Sequence, residues 1–309
     1  MFEKYKSSRR VFIKHAGLLS GLPLVGKLDI VRSDDVIKSR AIRVLTCNIR
    51  VDLPEDAQKN LGWIDRREAC IAVIKKQKAD IIGFQEVLKG QFLDLKAALK
   101  EYHGFGFDGP EMDEYTEGYH GIAKNPVFFA RDRFELLTAG NYWLSQTPLK
   151  AGSISWGSAR ARNACWVRLL DRHTGREFRL SNLHLDHVNN TAKRKQAAVV
   201  LEDAAQYQND FAQILTGDFN VAMDSEVYSD ILAAGWKDSF VQANGTGTPE
   251  GTVHGFKGEA YERKDKAKKI DFIFVKGPLK GTHSVIIKDT FKGVLPSDHY
   301  FVLAEIAAL

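Results

Sequence analysis

The sequence predicts an α+β fold in which a two-layered sandwich of mixed β-sheets is flanked by helices. Two observations lead to this prediction. From residue 41 onward the chain alternates short β-branched or aromatic runs with a few segments of helical periodicity, and many strand-like runs follow one another directly. About eleven strands and three helices suit sheets that bury one face against each other and hold helices on the outside.

The individual elements follow from the spacing of apolar residues. Apolar residues recur at helical spacing in 64–78, 91–100 and 192–207. Polar, glycine-rich loops are expected at 109–121, 146–163 and 241–268, and loops of this kind commonly form substrate walls. The predicted strands are 42–48, 80–84, 104–107, 126–130, 134–144, 164–170, 177–184, 212–216, 270–275, 282–288 and 300–306.

Length and charge disfavour a membrane-spanning protein and a non-specific nucleic-acid-binding protein. The 309 residues fit one large domain, and no apolar run approaches the ~20 residues that span a bilayer. The net charge of +5 lies entirely in residues 1–40, which hold nine Lys and Arg against four Asp and Glu. Residues 41–309 hold 35 of each and are neutral, so composition gives no support for non-specific nucleic-acid binding. The three widely spaced cysteines suggest neither a disulfide framework nor a zinc site.

The first forty residues differ from the rest of the chain. Arg9 and Arg10 are followed by Phe12 and Lys14, and then by a short, glycine-rich apolar stretch at 16–26. This layout resembles a twin-arginine export signal, which a receptor reads on proteins that are already folded. It implies a periplasmic or secreted protein and the twin-arginine export machinery as a partner, with cleavage between about 26 and 40 or retention as an anchor. The alternative is a basic tail or an amphipathic first helix. Residues 41–309 are then the catalytic domain.

Polar residues close or open six of the apolar strands. Each one alone is commonly a turn or cap residue, but six in one chain are unlikely to arise by accident. Strands that end together in carboxylates, amides and imidazoles form a cleft of oxygen ligands and proton carriers. The six groups are Asn48, Gln85-Glu86, Asn182-Leu183-His184, Gly217-Asp218-Phe219-Asn220, Ile270-Asp271 and Ser297-Asp298-His299.

This ordered set resembles the motifs of the endonuclease/exonuclease/phosphatase superfamily, over essentially all of residues 41–309. The stretches 128–137 and 142–148, and Thr252-Val253-His254-Gly255-Phe256, are similar to a bacterial, often exported branch. The resemblance implies the deoxyribonuclease I-like, four-layer α/β/β/α fold and hydrolysis of phosphoester bonds. It is specific for the superfamily and leaves the substrate open.

The residue types suit that chemistry. Glu86 with Asn48 offers hard oxygen ligands for Mg²⁺ or Mn²⁺, and Asp298 is the expected further ligand, directly or through water. By resemblance, Asp218 orients or deprotonates the attacking water and Asn220 fixes the phosphate. The same resemblance implies the roles of three more residues: His299 contacts the phosphate, Asp271 orients the His299 ring, and His184 donates to a phosphate oxygen.

Further residues are candidates for substrate binding. Arg160 and Arg162 bracket Ala161 before a strand, so alternation sends both side chains to one face as a phosphate clamp. Asp186 follows His184 at a strand end, with loop hydrogen bonding as the alternative role. His254 lies in a glycine-flanked loop and is either a substrate wall or a turn residue.

The sequence favours a phosphodiesterase among several readings. One alternative is a phosphomonoesterase acting on a sugar, inositol, lipid or nucleotide phosphate. Another is an exported binding protein that has lost catalysis, although the expected catalytic carboxylates and His299 are all present. A zinc hydrolase is disfavoured because no His-x-His pair precedes His184. The expected substrate is a small molecule, a lipid head group or a short nucleic acid, and no stable protein partner is predicted.

Overall fold

The computed structural model describes residues 41–108, 123–262 and 268–309. The expected export signal at 1–40 and the expected loop at 109–121 lie outside the described residues, as do residues 263–267 of the third loop. Among the described residues, no helix has both the length and the apolar character needed to cross a bilayer.

The described residues form twelve strands in two six-stranded sheets. The strands are β1 (Ile42–Asn48), β2 (Ile81–Gln85), β3 (Tyr102–Phe105), β4 (Val127–Ala130), β5 (Phe134–Trp143), β6 (Asn163–Asp171), β7 (Arg176–His184), β8 (Gln213–Asp218), β9 (Lys237–Asp238), β10 (Asp271–Lys276), β11 (Leu279–Ile287) and β12 (Phe301–Ala308). The first sheet has the order β11-β12-β1-β2-β4-β3 and the second has β5-β6-β7-β8-β10-β9. Both are mixed, because β1/β2 and β7/β8 are parallel and the other pairs are antiparallel.

Six α-helices lie within the same residues: α1 (Pro54–Ala57), α2 (Trp63–Gln77), α3 (Lys89–Ala98), α4 (Asn190–Ala204), α5 (Glu226–Ala233) and α6 (Ser239–Asn244). Alternation along β1 shows the layering: Leu45 and Cys47 pack with α2 and α3, whereas Val44 faces the second sheet. On the other side, Leu183 and Leu215 pack with α4 and α5. The predicted four-layer α/β/β/α sandwich is therefore confirmed.

Several short elements were missed by the sequence prediction. The loop expected at 241–268 begins inside α6, and it also contains a 3₁₀ turn at Gly258–Ala260. Helix α6 forms because the Asp238 side chain accepts a hydrogen bond from the Phe240 backbone N–H at 2.8 Å, which caps the helix. Helices α1 and α5 and the two-residue strand β9 were also not predicted. Elements this short carry too few periodic positions to be recognised in a sequence.

A buried polar network joins the two sheets near the ends of their central strands. The Gln85 amide donates to Asn182 Oδ1 at 2.7 Å, and Thr216 Oγ1 donates to the same oxygen at 3.0 Å. Asn182 Nδ2 in turn donates to the Phe84 carbonyl at 2.8 Å. Because these side chains bond across the sandwich, the polar residues just beyond them on both sheets are brought face to face.

Candidate active site

The site lies where the central strands of both sheets end. In the first sheet, β1 ends at Asn48 opposite Gln85 of β2, and β12 begins just after Asp298 and His299. In the second sheet, the His184 position pairs with Asp218, and Asp271 pairs with Asp218 from the other side. The structure thus brings all six predicted strand-end groups to one edge of the sandwich.

The Asn48 amide connects carboxylates from the two sheets. Its Nδ2 donates to Glu86 Oε1 at 3.1 Å and to Asp218 Oδ2 at 3.0 Å, while its Oδ1 accepts the Arg50 backbone N–H at 3.0 Å. The second oxygen of Glu86 accepts the Val51 N–H at 2.9 Å. Because both neighbours of Nδ2 are carboxylates, the orientation of the amide is fixed by its partners.

Three residues of this edge have left-handed backbone conformations. The φ angles of Arg50, Glu86 and Asn220 are 59°, 64° and 51°. Non-glycine residues adopt this region at an energetic cost, which the surrounding structure must offset. For Glu86 the conformation turns the chain sharply after β2 and leaves the carboxylate within reach of Asn48. Strained backbone of this kind is concentrated at functional sites.

A buried carboxylate pair flanks His299. His299 Nδ1 lies 3.0 Å from Asp271 Oδ2, and His299 Nε2 lies 4.0 Å from Asp218 Oδ2. Burial by itself would lower the pKa of His299, but the carboxylates of Asp271, Asp218 and Asp298 raise this pKa well above its ordinary value. Burial and the neighbouring Asp271 raise the pKa of Asp218 to about 7. The raised pKa of His299 favours the protonated imidazole, and it lies next to Asp218, whose carboxyl group has a pKa near neutral pH.

His184 and Asn220 are joined to each other. Asn220 Nδ2 donates to the Leu185 carbonyl at 3.1 Å and lies 2.9 Å from His184 Nε2. Burial and the nearby Arg162 guanidinium lower the pKa of His184 well below its ordinary value. A lowered pKa favours the neutral ring, and the Asn220 contact suits the tautomer with its proton on Nδ1, although Asp218 Oδ2 also lies 3.4 Å from Nε2. In this tautomer only Nδ1 carries a proton, so the predicted hydrogen bond from His184 to a phosphate oxygen would have to come from Nδ1.

Asp298 lies half-buried at the mouth of the site. Its Oδ2 is 3.5 Å from Arg50 Nη1, and Arg50 Nε also bonds Asp56 at 2.7 Å. Ser297 Oγ donates to the Asn48 carbonyl at 2.7 Å, which ties the Asp298 segment to the end of β1. This hydrogen bond places Asp298, a predicted metal ligand, next to Asn48, the other predicted ligand at the end of β1.

Arg162 lies beside the site, and Arg160 lies within electrostatic reach of it. Arg162 immediately precedes β6 and is 8% exposed, and its Nη2 lies 3.2 Å from His187 Nδ1. Burial first, and then the positive charges of Arg162 and Arg160, lower the pKa of His187. The predicted pair of arginines therefore lies on the His184 side of the cleft.

Asp186 and His254 each hold a loop in this structure. Asp186 is fully buried, and its two oxygens accept the backbone N–H groups of Ala159, Val188 and Asn189 at 2.7–3.1 Å. His254 is 1% exposed, its Nδ1 accepts the Gly258 N–H at 3.2 Å, and its backbone N–H bonds the Asp298 carbonyl. Both side chains are used to hold loops, which is the alternative role considered for each.

The donor set fits a hard divalent cation. Glu86 and Asp298 offer carboxylate oxygens, the ligands that Mg²⁺ and Mn²⁺ prefer. Asn48 turns its Nδ2 toward Glu86, so its amide would have to rotate to present Oδ1 as the predicted ligand. A second group, Asp218, Asp271 and His299, has ligand atoms that all lie within 4.8 Å of one another. In that group His299 Nδ1 and Asp271 Oδ2 are already hydrogen-bonded to each other. This bond favours a role in proton transfer over a role in binding a metal ion.

Sequence reasoning missed Arg66, which organises the site from helix α2. Its guanidinium is 1% exposed and bonds backbone carbonyls of Arg50, Leu61 and Pro296, with a further short contact to Ile49. It therefore joins the loop after Asn48 to the loop before Asp298. Arg66 lies on the buried face of its helix with Trp63 and Cys70. A charged residue at an apolar helical position is the signal that could have identified it.

Lys124 and Lys193 were also missed. Lys124 is 2% exposed, with its ammonium 5.4 Å from the centre of the Trp143 ring. Lys193, in the first turn of α4, is 8% exposed and bonds Asn190 Oδ1 at 3.2 Å. Burial lowers the pKa of Lys193, and the carboxylates of Asp186 and Asp218 oppose this shift. Neither lysine belongs to a recognisable motif, so only their burial identifies them.

Similarity to known proteins agrees with this arrangement. A solved endonuclease/exonuclease/phosphatase from Bacteroides vulgatus is 32% identical, with a TM-score of 0.77, over 87% of this chain and 99% of that chain. A mannosyl-6-phosphatase from Bacteroides thetaiotaomicron is 28% identical, with a TM-score of 0.76, over 86% and 99%. The human nocturnin catalytic domain is 20% identical, with a TM-score of 0.64 over 88% and 94%, and shares the fold.

No curated protein sequence matches the chain at a significant level. The family model of the endonuclease/exonuclease/phosphatase family, however, matches residues 45–299, from the third residue after the start of β1 to His299. The match spans every strand-end group of the candidate site. The chain belongs to the endonuclease/exonuclease/phosphatase family.

Proposed function

We propose that this protein is a divalent-metal-dependent hydrolase of phosphoester bonds. The observation that carries the proposal is the juxtaposition of two functional groups at one strand edge. Asn48 Nδ2 donates to Glu86 Oε1 on the first-sheet side at 3.1 Å and to Asp218 Oδ2 of the second sheet at 3.0 Å. Phosphoester hydrolysis needs an activated water, neutralised phosphate charge and a stabilised leaving group. Asp218 suits the first requirement, and a divalent cation held at Glu86 together with the His299 imidazole would serve the other two.

Asp218 accepts the proton of the attacking water. Its raised pKa, near 7, matches the working pH expected of a general base. The protonated His299, held by Asp271, places positive charge next to the reacting phosphate. The Asn220 backbone N–H donates to Asp218 Oδ1 at 2.9 Å, and Asn220 Nδ2 lies 2.9 Å from His184 Nε2. These contacts fix the orientation of the Asp218 carboxylate and the His184 ring.

Asn48, Glu86 and Asp298 would hold Mg²⁺ or Mn²⁺. A divalent cation there supplies positive charge to the non-bridging phosphate oxygens. The protein residues keep the three donors oriented: Val51 bonds Glu86, Arg50 bonds Asn48, and Ser297 bonds the Asn48 carbonyl. This choice of ligands follows the family resemblance and the all-oxygen donor set.

Two candidate reactions follow. The sequence analysis favours a diester substrate, and the neutral charge of residues 41–309 disfavours a non-specific nuclease without excluding cleavage of short oligonucleotides. The similarity to a mannosyl-6-phosphatase, at 28% identity over nearly the whole of both chains, favours the monoester alternative. We infer that a phosphomonoester, with a sugar phosphate as the first candidate, is the substrate class.

We also propose that the protein is exported to the periplasm or secreted. Support comes from the paired Arg9 and Arg10 in a basic segment followed by a glycine-rich apolar stretch. A receptor that transports folded proteins suits a domain that must assemble a metal site before use. Export can be tested separately from the reaction that the protein catalyses.

The decisive experiment measures hydrolysis of p-nitrophenyl phosphate and bis(p-nitrophenyl) phosphate by residues 41–309 with Mg²⁺, Mn²⁺ or EDTA. We expect metal-dependent cleavage of the monoester, lost in EDTA. Glu86→Gln and His299→Ala should each reduce kcat by on the order of 10²-fold or more, since both act on charge that develops in the transition state. Wild-type rates in both variants, with folding confirmed by circular dichroism, would refute the assignment of Glu86 and His299 to the active site. Failure of the wild type to cleave either ester with any of the metals would refute the hydrolase and leave the binding-protein alternative.

A further inference from the structure

The contact between Asp271 and His299 joins the two sheets. Asp271 begins β10 of the second sheet, whereas His299 lies two residues before β12 of the first sheet. Asp271 Oδ2 lies 3.0 Å from His299 Nδ1, and the other oxygen, Oδ1, accepts no hydrogen bond from the described residues. A single side-chain hydrogen bond therefore holds this carboxylate, so its position depends on the backbone that carries it.

A short piece of loop lies between the start of β10 and the start of β12. We call residues 252–255 the strap. The strap pairs with His299 as an antiparallel bridge. The Tyr300 N–H donates to the Thr252 carbonyl at 2.7 Å, and the His254 N–H donates to the carbonyl of the residue before His299 at 2.9 Å. The strap is therefore bonded to the backbone on both sides of His299.

Thr252 also bonds the strap to the start of β10. Its N–H donates to the Lys268 carbonyl at 3.2 Å, and its Oγ1 accepts the Ile270 N–H at 3.1 Å. The Ile270 carbonyl in turn accepts the Phe219 N–H at 2.9 Å. Both backbone groups of Ile270, the residue before Asp271, are thus engaged, and its N–H is engaged by the Thr252 hydroxyl.

The hydroxyl is the part of this arrangement that depends on the type of residue. The N–H and carbonyl bonds of Thr252 use backbone groups that most residues could supply, whereas the bond from Ile270 needs a side-chain acceptor. Thr252 is fully buried, so water does not replace a lost acceptor easily. A buried N–H that loses its acceptor costs free energy, which favours a shift of the backbone toward another partner.

We propose that Thr252 is a positioning residue whose hydroxyl fixes the backbone at Asp271 and so keeps the Asp271 carboxylate bonded to His299 Nδ1. The part that this plays in catalysis rests on the proposed phosphoester hydrolysis. A carboxylate fixes the orientation of a bonded imidazole, and a reacting group that is misplaced by about 1 Å can lower the rate roughly 100-fold. Thr252 acts on the reaction only through Asp271 and His299.

The first test compares kcat and KM of single variants of the full chain with Mg²⁺, using whichever of p-nitrophenyl phosphate and bis(p-nitrophenyl) phosphate the wild type cleaves. Thr252→Val keeps the shape but removes the acceptor, so kcat should fall roughly 10- to 100-fold with little change in KM. Thr252→Ser keeps the hydroxyl and should stay within about threefold of the wild type. A Thr252→Ser protein as slow as Thr252→Val would overturn the proposal.

Thr252→Cys provides the same comparison if Thr252→Val does not fold. A thiol differs from the serine hydroxyl by one atom and is a much weaker acceptor. The kcat of Thr252→Cys should therefore lie well below that of Thr252→Ser. Equal kcat in these two variants would contradict a role for the hydroxyl.

A double-mutant cycle separates positioning from a general loosening of the fold. In an Asp271→Asn background, Thr252→Val should change kcat by no more than about threefold, because the carboxylate through which Thr252 acts is already gone. Loss of kcat by the same factor in both backgrounds would show that Thr252 acts by another route and would overturn the proposal.

Ser239→Ala is the matched control. Ser239 is 1% exposed, and its Oγ donates to the Ile273 carbonyl of the same strand β10 at 2.7 Å. Its replacement also removes a buried hydroxyl bonded to this strand, so it should lower the melting temperature but leave kcat within about twofold of the wild type. A loss of kcat as large as that in Thr252→Val would mean that loosening of β10 alone explains both results.

Proton NMR in EDTA tests the inference without any turnover. The His299 Nδ1 proton, bonded to a buried carboxylate, should give a resonance downfield of the amide protons that is lost in Asp271→Asn. This resonance should be weakened or displaced in Thr252→Val and kept in Thr252→Ser and Ser239→Ala. An unchanged resonance in Thr252→Val, or a wild type without the resonance, would overturn the inference. A wild type that cleaved neither ester would instead refute the hydrolase, and the NMR result would still decide whether Thr252 holds the pair.

Discussion

Asp218 shows how one side chain combines several physical constraints. It is 1% exposed, lies beside Asp271 and His299, and accepts hydrogen bonds from Asn48 and from the Asn220 backbone. Burial and the like charge of Asp271 raise its pKa, while His299 and the two hydrogen bonds lower it. Burial dominates, so the proposed general base also opposes folding when it is charged.

This balance predicts a pH dependence of stability. The folded pKa of about 7 exceeds the ordinary 3.8, so the folded state binds more protons than the unfolded state between these values. The contribution of Asp218 to the free energy of unfolding is therefore present at low pH and lost as pH rises through about 7. Asp218→Asn removes that loss, which we expect to be on the order of 1–3 kcal/mol.

The measurement is urea unfolding of both proteins in EDTA from pH 4 to pH 8. The free energy of unfolding of the wild type should fall relative to that of Asp218→Asn across this range. A constant difference between the two would contradict the assigned pKa direction.

The same groups predict a bell-shaped pH dependence of kcat/KM. The acid limb reflects deprotonation of Asp218 and the alkaline limb reflects loss of the His299 proton. Asp271→Asn removes the carboxylate that raises the pKa of His299, so the alkaline limb should move to lower pH. Rates measured from pH 5 to pH 10 check this, and an alkaline limb that stays in place would exclude His299 as its source.

At the scale of elements, two buried polar clusters hold the sandwich at opposite ends. The cluster of Gln85, Asn182 and Thr216 lies next to the active site. At the other end Arg133, from the start of β5, bonds Asp171 of β6 at 3.0 Å and Asp80 before β2 at 2.8 Å. The second cluster therefore ties one sheet to the other through a buried guanidinium.

Removing this guanidinium should destabilise the fold without affecting catalysis directly. Arg133→Met leaves Asp171 buried without its cation, a change that typically costs about 3–5 kcal/mol. We expect a lower melting temperature but an unchanged kcat per folded molecule, measured well below the melting transition. Arg168→Met, which removes an exposed ion pair with Glu177, is a control and should lose no more than about 1 kcal/mol. A loss of similar size in both variants would show that the buried ion pair is not a link between sheets.

At the scale of the whole molecule, net charge distinguishes residues 1–40 from residues 41–309. Residues 1–40 hold the whole net charge of +5, whereas residues 41–309 are neutral.

The export proposal gives a prediction at this scale. Replacing Arg9 and Arg10 together by lysine in the full chain should abolish delivery to the periplasm, because the receptor reads the arginine pair itself. Cell fractionation followed by immunoblotting measures it. A double variant in which only Lys4 and Lys6 become arginine is the control and should be delivered normally. Unchanged delivery of the Arg9→Lys, Arg10→Lys protein would remove the basis for export by this route.

The sequence by itself predicted the layered α+β sandwich and the six strand-end groups, because alternating apolar residues and local turn chemistry are written along the chain. Only the tertiary structure decided which atoms meet. It showed that His184 accepts from Asn220, that Asp186 and His254 hold loops, and that Arg66 joins two loops. These outcomes depend on strand order and on contacts between residues far apart in sequence, such as Arg66 with Pro296, which no local pattern encodes.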